Sequence, residues 1–483
     1  MTDPTDHSTP ATDYLVVGAG AMGMAFADVI LAETDATVTL VDRRGRPGGH
    51  WNDAYPFVRL HQPSAFYGVN SLPLDSGRKD TVGWNAGLYE LASGAEVLAY
   101  YDHVMQRRFL PSGRVRFFPM CTYTGPGGSS DETGAGLLGG VVSNLSGERF
   151  EVAVRRKIVD ASYMRVTVPS MRPPPYEVAD GVHCIPPNAL TGISHPADGY
   201  VVVGAGKTGA DACLWLLGNG VEPAAITWIM PRDSWYLDRA QIQPGEFFEA
   251  TATRFIDQFR HVAESTSIDD LFDRLERNGL LLRLDPAVRP TMYRCSTVTT
   301  AELEQLRRID GVVRMGRVQR IDTDRIVLTD GTIPTSAGAV HVDCTADGLE
   351  RRPPVPVFAG DRITLQTVRH CQQVFSAAFI AHVEAAYGSD EAKNHLCGVV
   401  PHPDRDTDWI RTALGNSSNS ARWGADADLQ AWLAAARLDG FSSNAPPSAE
   451  LRATMLGALE HAEGALAKLT QYVAELDRLE SGG

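Results

Sequence analysis

An α/β fold with two Gly-rich βαβ units and a helical C-terminal extension is predicted by three observations. Two short apolar runs, at residues 14–17 and 200–203, each feed a GxGxxG turn that opens a helix and then a second strand. The two turns begin 186 residues apart, at Gly18 and Gly204, and form the one internal repeat of the chain. From residue 372 onward the pattern is mostly helical. With 483 residues the chain is long enough for two or three domains. Its 43% hydrophobic content supplies a large core, and its 45 glycines suit tight α/β turns.

Residues 1–12 are polar and acidic and read as a disordered leader. Residues 14–17 (Tyr-Leu-Val-Val) suit a strand buried on both faces. A helix is expected over 24–33 and a second strand over 37–41, ending at Asp42. Strands follow at 149–154 and 157–161. Residues 168–187, with Pro169, Pro173, Pro174, Pro175, Pro186 and Pro187, read as an extended linker. The second unit has its strand at 200–203, a helix over 210–217 and a strand over 225–229. Helical periodicity at 246–283 and 300–309 marks an insertion over 245–300, longer than a minimal nucleotide unit needs. Strands are expected at 311–318, 325–328 and 339–344, with a turn at Asp330-Gly331. Helices are expected at 372–387, 427–437 and 449–479, separated by polar loops at 415–425 and 440–448.

The formal net charge of −15 speaks against a general nucleic-acid binder, which needs a basic face. The run Arg155-Arg156-Lys157 reads as a solvated strand edge. No stretch approaches ~20 apolar residues, so no membrane span is expected. The N-terminus lacks the parts of a signal peptide, which places the protein in the cytoplasm. The seven cysteines are scattered and none forms CxxC. A disulfide framework or a thiolate metal cluster is therefore not expected, and Cys371 reads as a buried thiol. HExxH, GxSxG and EF-hand motifs are missing, so no metal is predicted.

The first turn, Gly18-Ala19-Gly20-Ala21-Met22-Gly23, carries the clearest chemistry. Its glycines permit a tight bend and close approach of a pyrophosphate, which the N–H groups of the following helix can bind. Asp42 stands nineteen residues after Gly23, where a carboxylate accepts from ribose hydroxyls, and Arg43 adjoins it. The second turn, Gly204-Ala205-Gly206-Lys207-Thr208-Gly209, lacks the later carboxylate. Its second strand runs instead into Pro231-Arg232, and Arg232 suits a 2′-phosphate, which points to NADPH rather than NADH. Two such Rossmann-like units in one chain commonly pair FAD with a nicotinamide.

Residues 41–51 (Val-Asp-Arg-Arg-Gly-Arg-Pro-Gly-Gly-His-Trp) and 55–67 (Tyr-Pro-Phe-Val-Arg-Leu-His-Gln-Pro-Ser-Ala-Phe-Tyr) carry a family resemblance. They resemble the Gly-Gly-Thr-Trp segment and flavin-facing turn of the flavin-containing and Baeyer–Villiger monooxygenases. Residues 228–239 look like the NADPH half of that group, and 157–163 and 341–346 like its interdomain crossings. The resemblance spans roughly 12–375. It implies a first part of the FAD domain at 13–167 and an inserted NAD(P)H domain at 168–338. The FAD domain would resume at 339–400, followed by a helical extension at 401–483. It implies transfer of one oxygen atom from a flavin hydroperoxide to a small-molecule substrate, with O2 as co-substrate. Trp51, His61 and Gln62 would be catalytic, His61 as a proton donor near neutral pH. Gly49, His50, Ser64, Tyr67, Asp343 and Gln366 would help to hold cofactor. Arg369 and His370 would adjoin the flavin ring. Apart from the resemblance, the long insertion at 245–300 suits a lid or pocket, with Met292, Tyr293, Arg294 and Cys295 as its substrate-pocket positions. His61, Ser64 and Tyr67 read equally as packing residues, and for the 292–295 group packing is the favoured reading.

The chain departs from that family at several points. The interdomain signature FxGxxxHxxx(Y/F) is not intact: Glu177 and Ala179 stand in place of Phe and Gly, with His183 as a remnant. His50 replaces the usual Thr. These departures keep open an oxidase, dehydrogenase or reductase, and a non-catalytic flavin-binding protein. A disulfide reductase is disfavoured, because residues 43–120 contain no Cys.

Overall fold

The computed structural model describes residues 11–126, 137–346, 348–440 and 446–481. The first ten residues of the expected leader, and 441–445 of the expected polar loop, lie outside the described residues. The spine of the first unit is a parallel sheet. Its spatial order is Val115–Phe118, Val38–Val41, Ala11–Val17, Arg149–Asp160, Arg362–Thr364. Val38–Val41 is buried at every residue, as a sheet covered on both faces requires. Helix Ala21–Glu33 is buried from Met22 to Ile30 and packs against helix Gln373–Ala386, itself apolar nearly all round. A hairpin of Cys121–Pro126 and Leu137–Ser143 extends this unit.

The first strand starts at Ala11, inside the expected leader. Its polar residues find partners: the Thr12 hydroxyl donates to the Thr37 carbonyl (3.0 Å), and the Asp13 carboxylate accepts from Thr37 N (2.8 Å). The helix starts at Ala21 rather than 24, because the Gly-rich turn itself supplies its N-cap, Gly20. The strands expected at 149–154 and 157–161 are one twelve-residue strand. Its charges leave the sheet: Arg155 pairs with Asp13, and Arg156 lies over the Tyr14 ring.

The second unit is again a parallel sheet, ordered Gly311–Val313, Ile226–Ile229, Tyr200–Val203, Val340–Asp343, His183–Ile185. Val340–Asp343 thus pairs beside Tyr200–Val203 (Val202 opposite Val342) and not in the first sheet. The return to the first unit therefore begins after Asp343, later than the expected boundary at 339. The chain re-enters the first sheet at Phe358–Ala359 and Arg362–Thr364, so the second unit is inserted in the first. The expected linker contributes two short strands, Glu177–Val178 and His183–Ile185, each paired in parallel. His183 is exposed on an edge strand.

The insertion holds helices Phe248–Glu264 and Ile268–Arg277, but it ends in a buried strand, Met292–Val298, parallel to Ser234–Asp238. The 33-residue helix Ala449–Ser481 packs on Phe248–Glu264 and Asp408–Gly424. Ala465, Leu469, Tyr472 and Leu476 enter a core with Trp235, Phe272 and Trp409. The polar loop expected at 415–425 is instead the second half of helix Asp408–Gly424. Its polar groups are satisfied locally: Ser417 and Ser418 donate to the carbonyls of Ala413 and Leu414 (2.9 Å each). Buried Asn419 donates to Val368 O and Gly398 O. Among the described residues, no helix is long and apolar enough to cross a membrane.

Candidate active site

Each Gly-rich turn builds a cradle of free N–H groups. Gly18 has φ of +107° and Gly204 of +129°, the left-handed region that glycine tolerates. A Cβ on Gly23 would stand 1.9 Å from the Gly18 carbonyl oxygen, and one on Gly209 would stand 2.1 Å from that of Gly204. These two glycines let each helix press onto its own turn. Neither helix N-terminus, capped at Gly20 and Gly206, has a side chain bonded to its first amides. Those amides are available to an anion. Gly206 has open space where a Cβ would stand. Uncapped amides beside open glycine backbone fit a dinucleotide pyrophosphate at both turns.

One cavity of about 1740 Å³ reaches both cradles. Gly18, Gly20, Ala21, Met22, Asp42, Arg43, Gly49, His50, Trp51, His61, Gln62 and Tyr67 line its first part. Gly204, Gly206, Lys207, Thr208 and Arg232 line the second, and Tyr293, Cys295, Arg369, His370 and Cys371 a third. Asp42 is fixed by two backbone donors, Ala19 N (2.7 Å) and Arg44 N (2.8 Å). This aims its carboxylate at the end of the second strand, where a ribose fits. The turn Gly49–Asp53 carries Trp51, whose Nε1 donates to Tyr67 Oη (2.7 Å), with His50 stacked on its indole.

The units meet across this cavity. Tyr55 donates to Asp211 (2.7 Å), which also pairs with Lys207. Phe57 stacks on Trp215. Arg239, 1% exposed, donates to the His61 carbonyl (2.8 Å), to Asn85 Oδ1 (3.1 Å) and to Glu302 (2.9 Å). Lys207 and Arg239 also act on the His61 ring. Burial, and then these two cations, push its pKa well below the usual histidine value. His61 is therefore neutral at neutral pH, and the expected imidazolium proton donor is not formed there. It offers one N–H donor and one acceptor instead. Burial likewise brings His50 down to about 4 and raises Tyr67 to about 12.

Arg232 shares Asp404 with Arg294, with contacts of 3.0 and 3.2 Å from Arg232 and 2.7 Å from Arg294 Nε. Burial alone would raise the Asp404 carboxyl; the Arg232 and Arg294 guanidiniums outweigh it and bring it to about 2. Nearby, Cys295 and Cys371 form a disulfide, where free thiols were expected. His370 Nε2 lies 3.1 Å from Cys295 Sγ and 2.9 Å from the Tyr293 hydroxyl.

Five expected site residues do not line the cavity. Gly23 and Gly209 pack helix on turn. Ser64 is buried, donating to Glu90 O (2.9 Å) and accepting from Ala92 N (2.7 Å). Gln366 clamps the backbone of Val355 through both ends of its amide. Asp343 accepts from Thr345 and Tyr176 behind the wall. The expected list lacked Tyr55, Asp211, Arg239 and Asp404. Asp404 sits in a short loop without a motif. Arg239 belongs to the 228–239 segment but gave no sign that it would be buried.

The comparisons agree with this geometry. A family model described as an NAD(P)-binding Rossmann-like domain matches residues 16–70. Uncharacterized proteins of Mycobacterium bovis and Mycobacterium tuberculosis are each 54% identical over 461 residues, covering 92% of this chain and 82% of each relative. The chain belongs to their family. A closed crystal structure of cyclohexanone monooxygenase superposes with TM-score 0.52 at 15% identity, covering 95% of this chain and 98% of that one. An oxidized steroid monooxygenase bound to NADP gives TM-score 0.51 at 15% identity, covering 94% and 98%. The fold is thus the two-dinucleotide-unit fold of flavin monooxygenases, and it includes a helical C-terminal region.

Proposed function

We propose that this chain is an FAD-dependent monooxygenase reduced by NADPH that acts on a small molecule in the cytoplasm. The observation that carries the reading is the single cavity onto which both Gly-rich helix N-termini open. Bound FAD would accept hydride from NADPH and activate O2. The amides at Gly20, Ala21 and Met22 hold the FAD pyrophosphate, and Asp42 its ribose. The amides at Gly206, Lys207 and Thr208 hold that of NADPH. Arg232 and Arg294, brought together by Asp404, receive the 2′-phosphate. Trp51 and Tyr67, bonded to each other, wall the ring site against water. Neutral His61 and Gln62 offer hydrogen bonds without a charge, and Tyr293 borders the substrate space.

The test is incorporation of oxygen label from O2 into product during NADPH turnover, screened over ketones, sulfides and amines. Label found in product supports the reading. NADPH oxidation with every oxygen atom recovered as hydrogen peroxide or water overturns the oxygenating step. The Cys295–Cys371 pair in the same cavity favours a second reading, an NADPH oxidoreductase without oxygen insertion.

A further inference from the structure

We propose that Cys295 and Cys371 form a redox-active disulfide that takes the electron pair of the reduced flavin, giving this chain a second redox centre. The proposal rests on the flavin and nicotinamide reading above. Both cysteines line the cavity that both cradles share. Cys295 comes from strand Met292–Val298 of the inserted unit, and Cys371 from the loop that enters helix Gln373–Ala386. They are 76 residues apart in sequence, with Cα atoms 6.6 Å apart.

The helix after Cys371 places it near the flavin site. Helix Gln373–Ala386 packs along Ala21–Glu33, and His382 Nδ1 meets Glu33 Oε2 at 2.7 Å near their C-terminal ends. His382 is nine residues beyond Gln373, and Glu33 is twelve beyond Ala21. The helices are therefore parallel and their N-termini level to within about one turn, ~5 Å. Cys371, two residues before Gln373, thus lies toward the end of the helix pair that carries the first cradle, and it lines the same cavity.

The backbone and the neighbours set this pair apart from a passive cross-link. Among the described residues, four non-glycine residues have left-handed φ, and Cys295 (56°) and Cys371 (59°) are two of them. Such conformations are held where a site demands them. His370 Nε2 is 3.1 Å from Cys295 Sγ, and His402 Nδ1 is 3.9 Å from Cys371 Sγ.

In the reaction, the sulfur–sulfur bond breaks and the two electrons and two hydrogens of dihydroflavin pass to the sulfurs. One S–H forms on each, and the flavin returns to its oxidised form. NADPH and a proton renew the reduced flavin and leave NADP⁺. The helix N-terminus after Cys371 favours a thiolate there, the form that attacks a further disulfide.

The test follows the wild-type holoprotein under anaerobic conditions. Samples before and after NADPH are quenched in acid, alkylated, digested and mapped by mass spectrometry, while flavin absorbance is recorded. We expect the 295 and 371 peptides linked before NADPH and alkylated at both sulfurs after it. Full reduction should consume about twice the NADPH that the flavin alone requires, falling about twofold in Cys371→Ser and Cys295→Ser. Flavin that bleaches while the peptides stay linked overturns the proposal and leaves the flavin reading standing. Cysteines alkylated before NADPH, with stoichiometric zinc, overturn it in favour of a metal site on Cys295, Cys371 and His402, whose ligand atoms lie within 4.8 Å of one another. Flavin that does not bleach with NADPH overturns the underlying reading, and the proposal with it. The peptide map needs no variant, so a misfolded substitution does not blunt the test.

Discussion

Two glycines three residues apart in the same turn, Gly20 and Gly23, should fail in different ways. In Gly23→Ala the new Cβ would meet the Gly18 carbonyl oxygen at 1.9 Å, with the Gly18 carbon at 3.1 Å and Ala161 Cβ at 3.2 Å. Ordinary contact begins near ~3.4 Å, so helix and turn must separate by about 1.5 Å, an overpacking cost of roughly 1–3 kcal/mol. In Gly20→Ala the nearest atom is Gly49 Cα at 3.5 Å, which is ordinary contact. Its methyl would intrude only on the close approach of a pyrophosphate. Thermal unfolding of flavin-free protein should therefore drop by about one to three degrees for Gly23→Ala and stay near wild type for Gly20→Ala. Flavin content after gel filtration should fall in both. Equal melting of the two apo variants would refute this division, as would full flavin retention by Gly20→Ala. The same contrast is expected between Gly209, with a Cβ at 2.1 Å from Gly204 O, and Gly206, with open space.

Arg232→Ala should raise KM for NADPH about tenfold or more and leave that for NADH nearly unchanged, as loss of one charge-assisted phosphate contact would; steady-state kinetics with both nucleotides reads it. Arg239→Met should cost about 3–5 kcal/mol in denaturant unfolding, because it leaves Glu302 without its buried partner. Acidification should weaken the fold as pH falls from about 6.5 towards 4. His50, His61, His370 and His402 all have folded pKa values below the unfolded one, so the unfolded chain takes up protons that the folded chain resists. A flat stability profile across that range would contradict their neutrality. A further loss is expected below pH ~4, as the Asp404 carboxylate, lowered to about 2, loses its advantage over the unfolded state. Asp404→Asn should make that lower step smaller, and Asp13, also lowered to about 2, should keep part of it.

Much of the scaffold was legible because backbone chemistry announces itself locally. The two GxGxxG turns fixed two strands, two helices and the cradle amides, and Asp42 followed from spacing. What stayed hidden depends on distant partners. Nothing near Val340–Asp343 says which of two parallel sheets will take it. The stretch 415–425 looks like a loop by composition, yet its serines bond carbonyls one turn back and Asn419 finds two buried carbonyls. Cys295 and Cys371 carry no spacing signal, being 76 residues apart. The neutrality of His61 arises from burial and from Lys207 and Arg239, residues well over a hundred positions away. Ser64 and Gln366 show the reverse error: polar residues near a site whose bonds go to backbone.

The bond from Tyr55 to Asp211 has a thermodynamic consequence. Asp211 is shared between Tyr55, four residues after Trp51, and Lys207, on the rim of the other cradle. A nucleotide phosphate that drew Lys207 away would leave Asp211 to Tyr55 alone and shorten its reach to the Trp51 turn. Occupancy of one cradle would then alter the affinity of the other by some factor, and linkage requires the same factor in return. The two binding equilibria would be reciprocal, and Tyr55→Phe should bring that factor closer to one.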